Sequence, residues 1–298
     1  MELHALYHDV DRLPYLLLIR DHARKHGLTL HFEEHRRNGN EDWAEVLRRE
    51  ETDLIAESYW RLQRYHAAGT PFVAVASAVH DWTELLLVRP GIGSAADLRG
   101  KRVAVRGTGP QVVFPRVLFR ELGWDVDLIT FSEKETGRWG HWRRVVDGDC
   151  DGCFMLPLYA DDALAAGLHP VAYPAFPFDG AHVTVTTTDR VLADKRPAFA
   201  LLVRAMFDAA EDVRKHPAAL DADVLEAREA LSEHFDVSSG ARLSRLSALL
   251  REEVWETPVP TPRGIENARV LAREHYPELD DYNPLLMWDT SLAREALT

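Results

Sequence analysis

Cysteine is scarce in this chain of 298 residues, with only two, Cys150 and Cys153. They form a single C-x-x-C, too few for a disulfide scaffold or a closed four-ligand zinc site. A thioredoxin-like pair opens a helix after a strand, whereas this one leads into the apolar run CFMLPLY (153–159). Two half-buried thiols at a strand start are therefore expected rather than a redox site. No apolar run reaches about 18 residues, which excludes a membrane-spanning helix. Lysine is also sparse, and no run of Lys or Arg is long enough to grip a phosphate backbone. With Asp and Glu at 48 against 35 basic residues, the net charge is -13, a balance that argues against nucleic-acid binding. The opening MELHALYHDV lacks a basic n-region, an apolar h-region and a lipobox cysteine. Read as the native start, it implies a cytoplasmic protein. A mature periplasmic or extracellular chain restarted with Met would look the same.

What is present is ordinary globular material, 46% hydrophobic and 28% charged, enough for one large domain or two smaller ones. Short apolar strands alternate with amphipathic helices. ELHALY (2–7), LTLHFEEH (28–35), DLIAES (53–58) and PFVAVASAV (71–79) read as strands. LPYLLLIRDHARKHG (13–27), EDWAEVLRREE (41–51) and YWRLQRYHAAG (59–69) read as helices between them. After the extended stretch TELLLVRPG (83–91) a second unit repeats the alternation. It holds KRVAVR (101–106), the turn GTGP (107–110), the helix QVVFPRVLFRELG (111–123), VDLITF (126–131), a helix around 141–148, CFMLPL (153–158), a helix over 159–167 and HPVAYP (169–174). HVTVTTT (182–188) carries the chain back, and from Arg196 onward the pattern is helical. This predicts two α/β units with mostly parallel sheets, a clamshell whose lobes are 1–82 with 183–298, and 83–182.

Ligands of open α/β sheets lie outside the carboxyl ends of strands. Those ends supply His8 and Asp9, then Glu57 and Ser58, then His80 and Asp81. The second unit supplies Arg106, Gly107, Thr108, Gly109 and Gln111, then Pro157 and Tyr159, and the return strand begins at His182. Glu57, His8, His80 and His182 are the candidate acid–base groups, because imidazole exchanges protons near neutrality and a desolvated carboxyl can be tuned toward it. Glu57 stands out, since an acid directly after the apolar run DLIA is costly without a partner. Histidine at a strand end is more often a hydrogen-bonded wall residue. A divalent metal is compatible with His and carboxylate together, although nothing demands one. Arg106 and the glycine turn before a helix suit a carboxylate or sulfonate, or they form only a tight turn. RWGHWRR (138–144), with Trp60 and Trp82, suggests an aromatic ligand, while the blander reading has these Trp side chains packed on the lobe.

The segment SAADLRGKRVAV (94–105) resembles the "DLkGKrVgv" run that opens the second lobe of type II periplasmic binding proteins of the nitrate, taurine and sulfonate class. VVDGDCDGCFMLPLYADDALAAGLHPVA (145–172), HVTVTTTDRVLADKRPAFALLVRAMFDAA (182–210) and DTSLAREAL (289–297) agree in order and spacing. Some cytoplasmic enzymes share that fold. WAEVLRREETDLIAES (43–58), FPFDGAHVTV (176–185) and RGIENARVLARE (263–274) are similar to stretches of dihydroxyphthalate decarboxylase. A biphenyl sulfinate desulfinase and the thiamine pyrimidine-precursor synthases fit less well. The resemblance implies a two-lobed type II clamshell with a helical C-terminal segment. It implies two functions, of which the first, a cytoplasmic enzyme, is the leading expectation and the second the alternative. One is a decarboxylase-like lyase acting on a small aromatic or related carboxylate. The other is an ABC-transporter solute-binding protein for a small organic anion. Substrate-binding residues under both are Asp9, Ser58, Arg106, Gly107, Thr108, Gly109, Gln111, Pro157 and Tyr159.

Overall fold

The computed structural model describes residues 1–8, 10–35, 42–57, 60–79, 84–107, 110–136, 139–173, 183–216, 218–233, 240–254 and 256–297; within these, the side chains of residues 57, 60, 61, 79, 110, 111, 133 and 241 are not described. The chain divides into two units. Unit 1 comprises Met1–Trp82, Phe178–Ala272 and Glu278–Thr298, and unit 2 comprises Thr83–Pro177 and Arg273–Pro277.

Unit 1 is built on strands β1 (Glu2–Tyr7), β2 (Thr29–Glu34), β3 (Leu54–Glu57) and β4 (Phe72–Val79), and on β10 (Val183–Thr188) later in the chain. Their order is β2-β1-β3-β10-β4. β1 pairs in parallel with both β2 and β3, while β10 runs antiparallel to β3 and β4. β1 alternates as its sequence demands, with Leu3, Ala5 and Tyr7 turned into the core. β10 is buried at all six positions, so its four threonine hydroxyls need partners. Thr187 donates to the Asp53 carbonyl at 2.7 Å, Thr188 donates to Glu50 at 3.1 Å, and Thr184 and Thr186 bond to each other at 3.1 Å. Thr188 also accepts from the Val191 backbone N–H and caps the helix Asp189–Lys215. That helix starts before Arg196, where the sequence pattern first reads as helical. Pro197 lies inside it, just after a non-helical residue at Lys195, so the proline marks a kink and not a beginning.

Unit 2 repeats the plan with β5 (Leu85–Val88), β6 (Arg102–Arg106), β7 (Asp127–Phe131), β8 (Gly152–Met155) and β9 (His169–Val171). The order is β7-β6-β8-β5-β9. β6 is parallel to β7 and β8, and β5 is antiparallel to β8 and β9. In each sheet four of five strands therefore point one way, and the pairings are mixed because one reversed strand is inserted. The reversed strand is the first after the chain enters unit 2 (β5) or returns to unit 1 (β10).

Several polar residues of unit 2 serve the fold. The Asp97 carboxylate accepts from the Gly93 N–H, the Ser94 N–H and the Ser94 hydroxyl, closing a capping box and holding its acidity below the usual carboxylate range. Asp151 accepts from Arg89 Nε at 2.8 Å and the Arg102 N–H at 3.1 Å, tying the ends of β5, β6 and β8. A Cβ added at Gly152 would stand 3.0 Å from the Leu87 carbonyl oxygen, so β5 and β8 meet closely there. Gly152→Ala is expected to cost about 1–3 kcal/mol, measured as a lower denaturation midpoint; an unchanged midpoint contradicts the close fit. Cys150 and Cys153 are both buried and unbonded to each other, and burial raises both thiols above their usual range.

Candidate functional site

In an open α/β sheet the ligand position is where consecutive connections leave in opposite directions. In unit 1 the chain runs from β1 out to β2 and back to β3, so the switch lies between β1 and β3. Tyr7 pairs with Ala56, which puts the half-buried His8 beside the Glu57 position at adjacent strand ends. Asp9, Ser58, His80 and Asp81 lie outside the described residues, as do Thr108, Gly109 and His182; the side chains of Glu57, Trp60 and Gln111 do too, and Trp82 likewise.

In unit 2 the switch lies between β6 and β8. β6 ends on Arg106, and β8 leads through Leu156 into the short turn Pro157–Tyr159. Gly107 donates its N–H to the Phe131 carbonyl at 2.7 Å, and a Cβ there would stand 3.3 Å from the same oxygen. This glycine allows β7 to approach. The helix Pro110–Glu121 starts just beyond.

Around Arg106 the structure assembles a cluster. Its guanidinium carbon lies 4.7 Å from the Trp139 ring centroid, and the Tyr159 ring stacks on Trp139 at 5.0 Å and 24°. Trp139 is only 3% exposed and holds a left-handed backbone, φ 60°, which costs free energy for a bulky residue unless packing enforces it. Its ring is thus committed to the protein and offers no open platform, so the argument from Trp139 to an aromatic ligand is lost. Trp142 is half-buried and carries the Arg143 guanidinium 4.8 Å from its ring. Pro157 and Tyr159 are half-buried.

Three residues not anticipated from the sequence complete the cluster. His141 is buried and its Nε2 donates to the Phe154 carbonyl at 2.8 Å. Burial, aided by the Arg106 charge and against that hydrogen bond, pushes its imidazole down to about 4, so it is neutral at physiological pH. Glu84 directly precedes β5 and is 4% exposed. Leu85 pairs with Met155, which sets Glu84 level with Leu156 at the β8 end. Its Oε2 has no hydrogen-bond partner among the described residues. Burial, only partly opposed by Arg106, pushes its carboxyl up to about 8. Tyr173 donates its hydroxyl to the Glu84 carbonyl at 2.8 Å, and its phenol is also raised by burial. A signal for Glu84 exists in the sequence, an acid abutting the apolar run LLLV, the same pattern that singles out Glu57.

At neutral pH Glu84, His141, Cys153 and Tyr173 are thus uncharged, and Arg106 supplies positive charge to the cluster. Such a site attracts an anion. For a metal, the described residues bring three ligand atoms together only at Glu2, His4 and His31, all exposed and within 4.8 Å of one another. These sit toward the amino end of β1, away from the strand-end switch.

A family model described as NMT1/THI5 like matches residues 23–220. No curated protein matches. Among solved structures, a putative periplasmic sulfonate-binding protein SsuA of a sulfonate ABC transporter from Methylobacillus flagellatus KT superposes with TM-score 0.71 at 13% identity, covering 100% of this chain and 94% of that one. The periplasmic aliphatic sulphonate-binding protein SsuA of Escherichia coli gives 0.65 at 14% identity, covering 96% and 95%. A Candida albicans protein described as having the generic periplasmic binding protein fold gives 0.60 at 15%, covering 99% and 95%. The fold is accordingly that of the type II periplasmic binding proteins.

Proposed function

The chain belongs to the NMT1/THI5-like family, and from that premise we propose that it is a solute-binding protein of the ABC-transporter type. Its ligand is a small organic anion, a sulfonate or carboxylate, taken up at the β6–β8 strand ends of unit 2. The observation that carries this reading is the charge balance of the buried cluster. Arg106 is cationic and braced by Trp139, while the neighbouring acid and imidazole are neutral. A guanidinium matches a planar or tetrahedral oxyanion through its fork of N–H donors, and one already held against a ring loses less rotamer entropy on binding. The SsuA proteins of similar fold are described as sulfonate-binding and periplasmic, which favours transport outside the cytoplasm over a cytoplasmic lyase.

The test is calorimetric titration at pH 6 with a panel of alkanesulfonates and aromatic carboxylates, followed by recovery of the ligand. Stoichiometric binding with the ligand returned intact is expected. Release of carbon dioxide from any carboxylate, abolished in Glu57→Gln, overturns the reading in favour of a lyase.

A further inference from the structure

A buried acid whose Oε2 has no hydrogen-bond partner among the described residues, and which feels the charge of a guanidinium in an anion site, is an expensive arrangement. An ionised carboxylate there would compete with the ligand for Arg106, and a neutral one would not. Glu84 is fixed in that place by its position at the head of β5, by register with the β8 end and by the Tyr173 hydroxyl on its carbonyl. Among the described residues, the titratable groups that face it are Arg106 from β6, Cys153 from β8 and Tyr173 after β9. Resting on the anion-binding reading above, we propose that Glu84 must be protonated for an anion to bind at Arg106, so that ligand and proton bind together.

The linkage has a definite sign. A bound anion opposes ionisation of Glu84 and therefore raises its proton affinity, and by reciprocity the proton raises anion affinity. His141, Tyr173 and Cys153 do not change charge in the relevant window. His141 is pushed down to about 4, and Tyr173 and Cys153 are raised far above neutrality. Glu84, pushed up to about 8, titrates between pH 6 and 9.5. Affinity is then flat from pH 6 to 7 and falls above it, by about tenfold per pH unit in the limit where the ionised form does not bind.

The experiment titrates ethanesulfonate, and in parallel benzoate, into the full chain and into Glu84→Gln from pH 6 to 9.5, in buffers of different ionisation enthalpy. Carbon-13 NMR of the Glu carboxyls in the ligand-free protein, assigned by difference from Glu84→Gln, reports the protonation of Glu84 without any ligand. The expected results are a carboxyl titrating near 8, tenfold or greater loss of affinity by pH 9.5 in the natural chain, proton uptake on binding near pH 8.5, and a flat profile in Glu84→Gln. Proton uptake is read on the natural chain, so it stands even if the variant fails to fold. Binding with a flat profile and no proton uptake overturns the coupling alone, as does a Glu84 carboxyl already ionised at pH 6. No binding of either anion at pH 6 removes the anion-binding reading and the coupling with it.

Discussion

Arg106→Ala is expected to weaken binding of a small sulfonate or carboxylate by two orders of magnitude or more at pH 6, with little change in thermal midpoint. The size follows from truncating one partner of a charge-assisted contact, which costs about 2–5 kcal/mol. Arg106 is half-buried, and its guanidinium lies over Trp139, so part of its value is orientation. Arg106→Lys keeps the charge but loses the planar fork and the stacking. It is expected to recover only a small part of the lost affinity. Calorimetry on the two variants checks both statements, and equal binding by Arg106→Lys and the natural chain would show that charge alone, without the Trp139 brace, makes the site.

Glu84→Gln is expected to stabilise the protein, increasingly as pH rises. The folded-state carboxyl is pushed up to about 8 by burial, while in the unfolded chain it ionises in the usual range near 4.3. Folding therefore keeps a proton that the unfolded chain releases. The stability present below about pH 4.5 is progressively lost between pH 4.5 and 8 and stays lost above that. At pH 7 the penalty is on the order of 3 kcal/mol. A glutamine carries no such term, although its amide still requires hydrogen bonds. Chemical denaturation at pH 5, 7 and 8.5 should show a gain that is small at the first pH and largest at the last. A gain independent of pH would place the Glu84 effect in packing and not in protonation. A residue that destabilises its own fold is a common sign of a site under functional demand.

Much of the architecture is legible in the sequence because its signals are local. Strand alternation in ELHALY and the run KRVAVR both appear as strands. Within SAADLRGKRVAV, Ser94 and Asp97 form a capping box and Asp97 fixes the turn before β6. Those are folding devices, which is why the segment speaks for fold and is silent on ligand. The insertion of β5 between β8 and β9, and of β10 between β3 and β4, is not legible, since strand partners distant in sequence leave no periodicity behind.

The site is legible to a lesser degree. Arg106 is identifiable from a strand end followed by glycine, and Tyr159 from the turn after β8. Gly107 is recognisable as a special position, but its reason is the 2.7 Å bond to the Phe131 carbonyl and the close approach of β7. His141 is hidden within RWGHWRR, where the aromatic and cationic residues draw attention outward. The left-handed turn at Trp139 instead folds the ring and the imidazole inward. Glu84 obeys the rule that selects Glu57, an acid against an apolar run, but its meaning depends on Arg106, which lies 22 residues away in sequence and at the same end of the sheet, on the far side of β8.

The central claim is that Arg106 holds an organic anion that leaves unchanged. The most direct measurement is a crystal structure of the full chain grown at pH 6 with 2-bromoethanesulfonate, and a second with 4-iodobenzoate, the halogen located by its anomalous signal. The account predicts an intact anion at the β6–β8 strand ends, its oxygens within hydrogen-bond distance of the Arg106 guanidinium. A halogen peak remote from Arg106, or an iodobenzene that has lost its carboxylate, would contradict it.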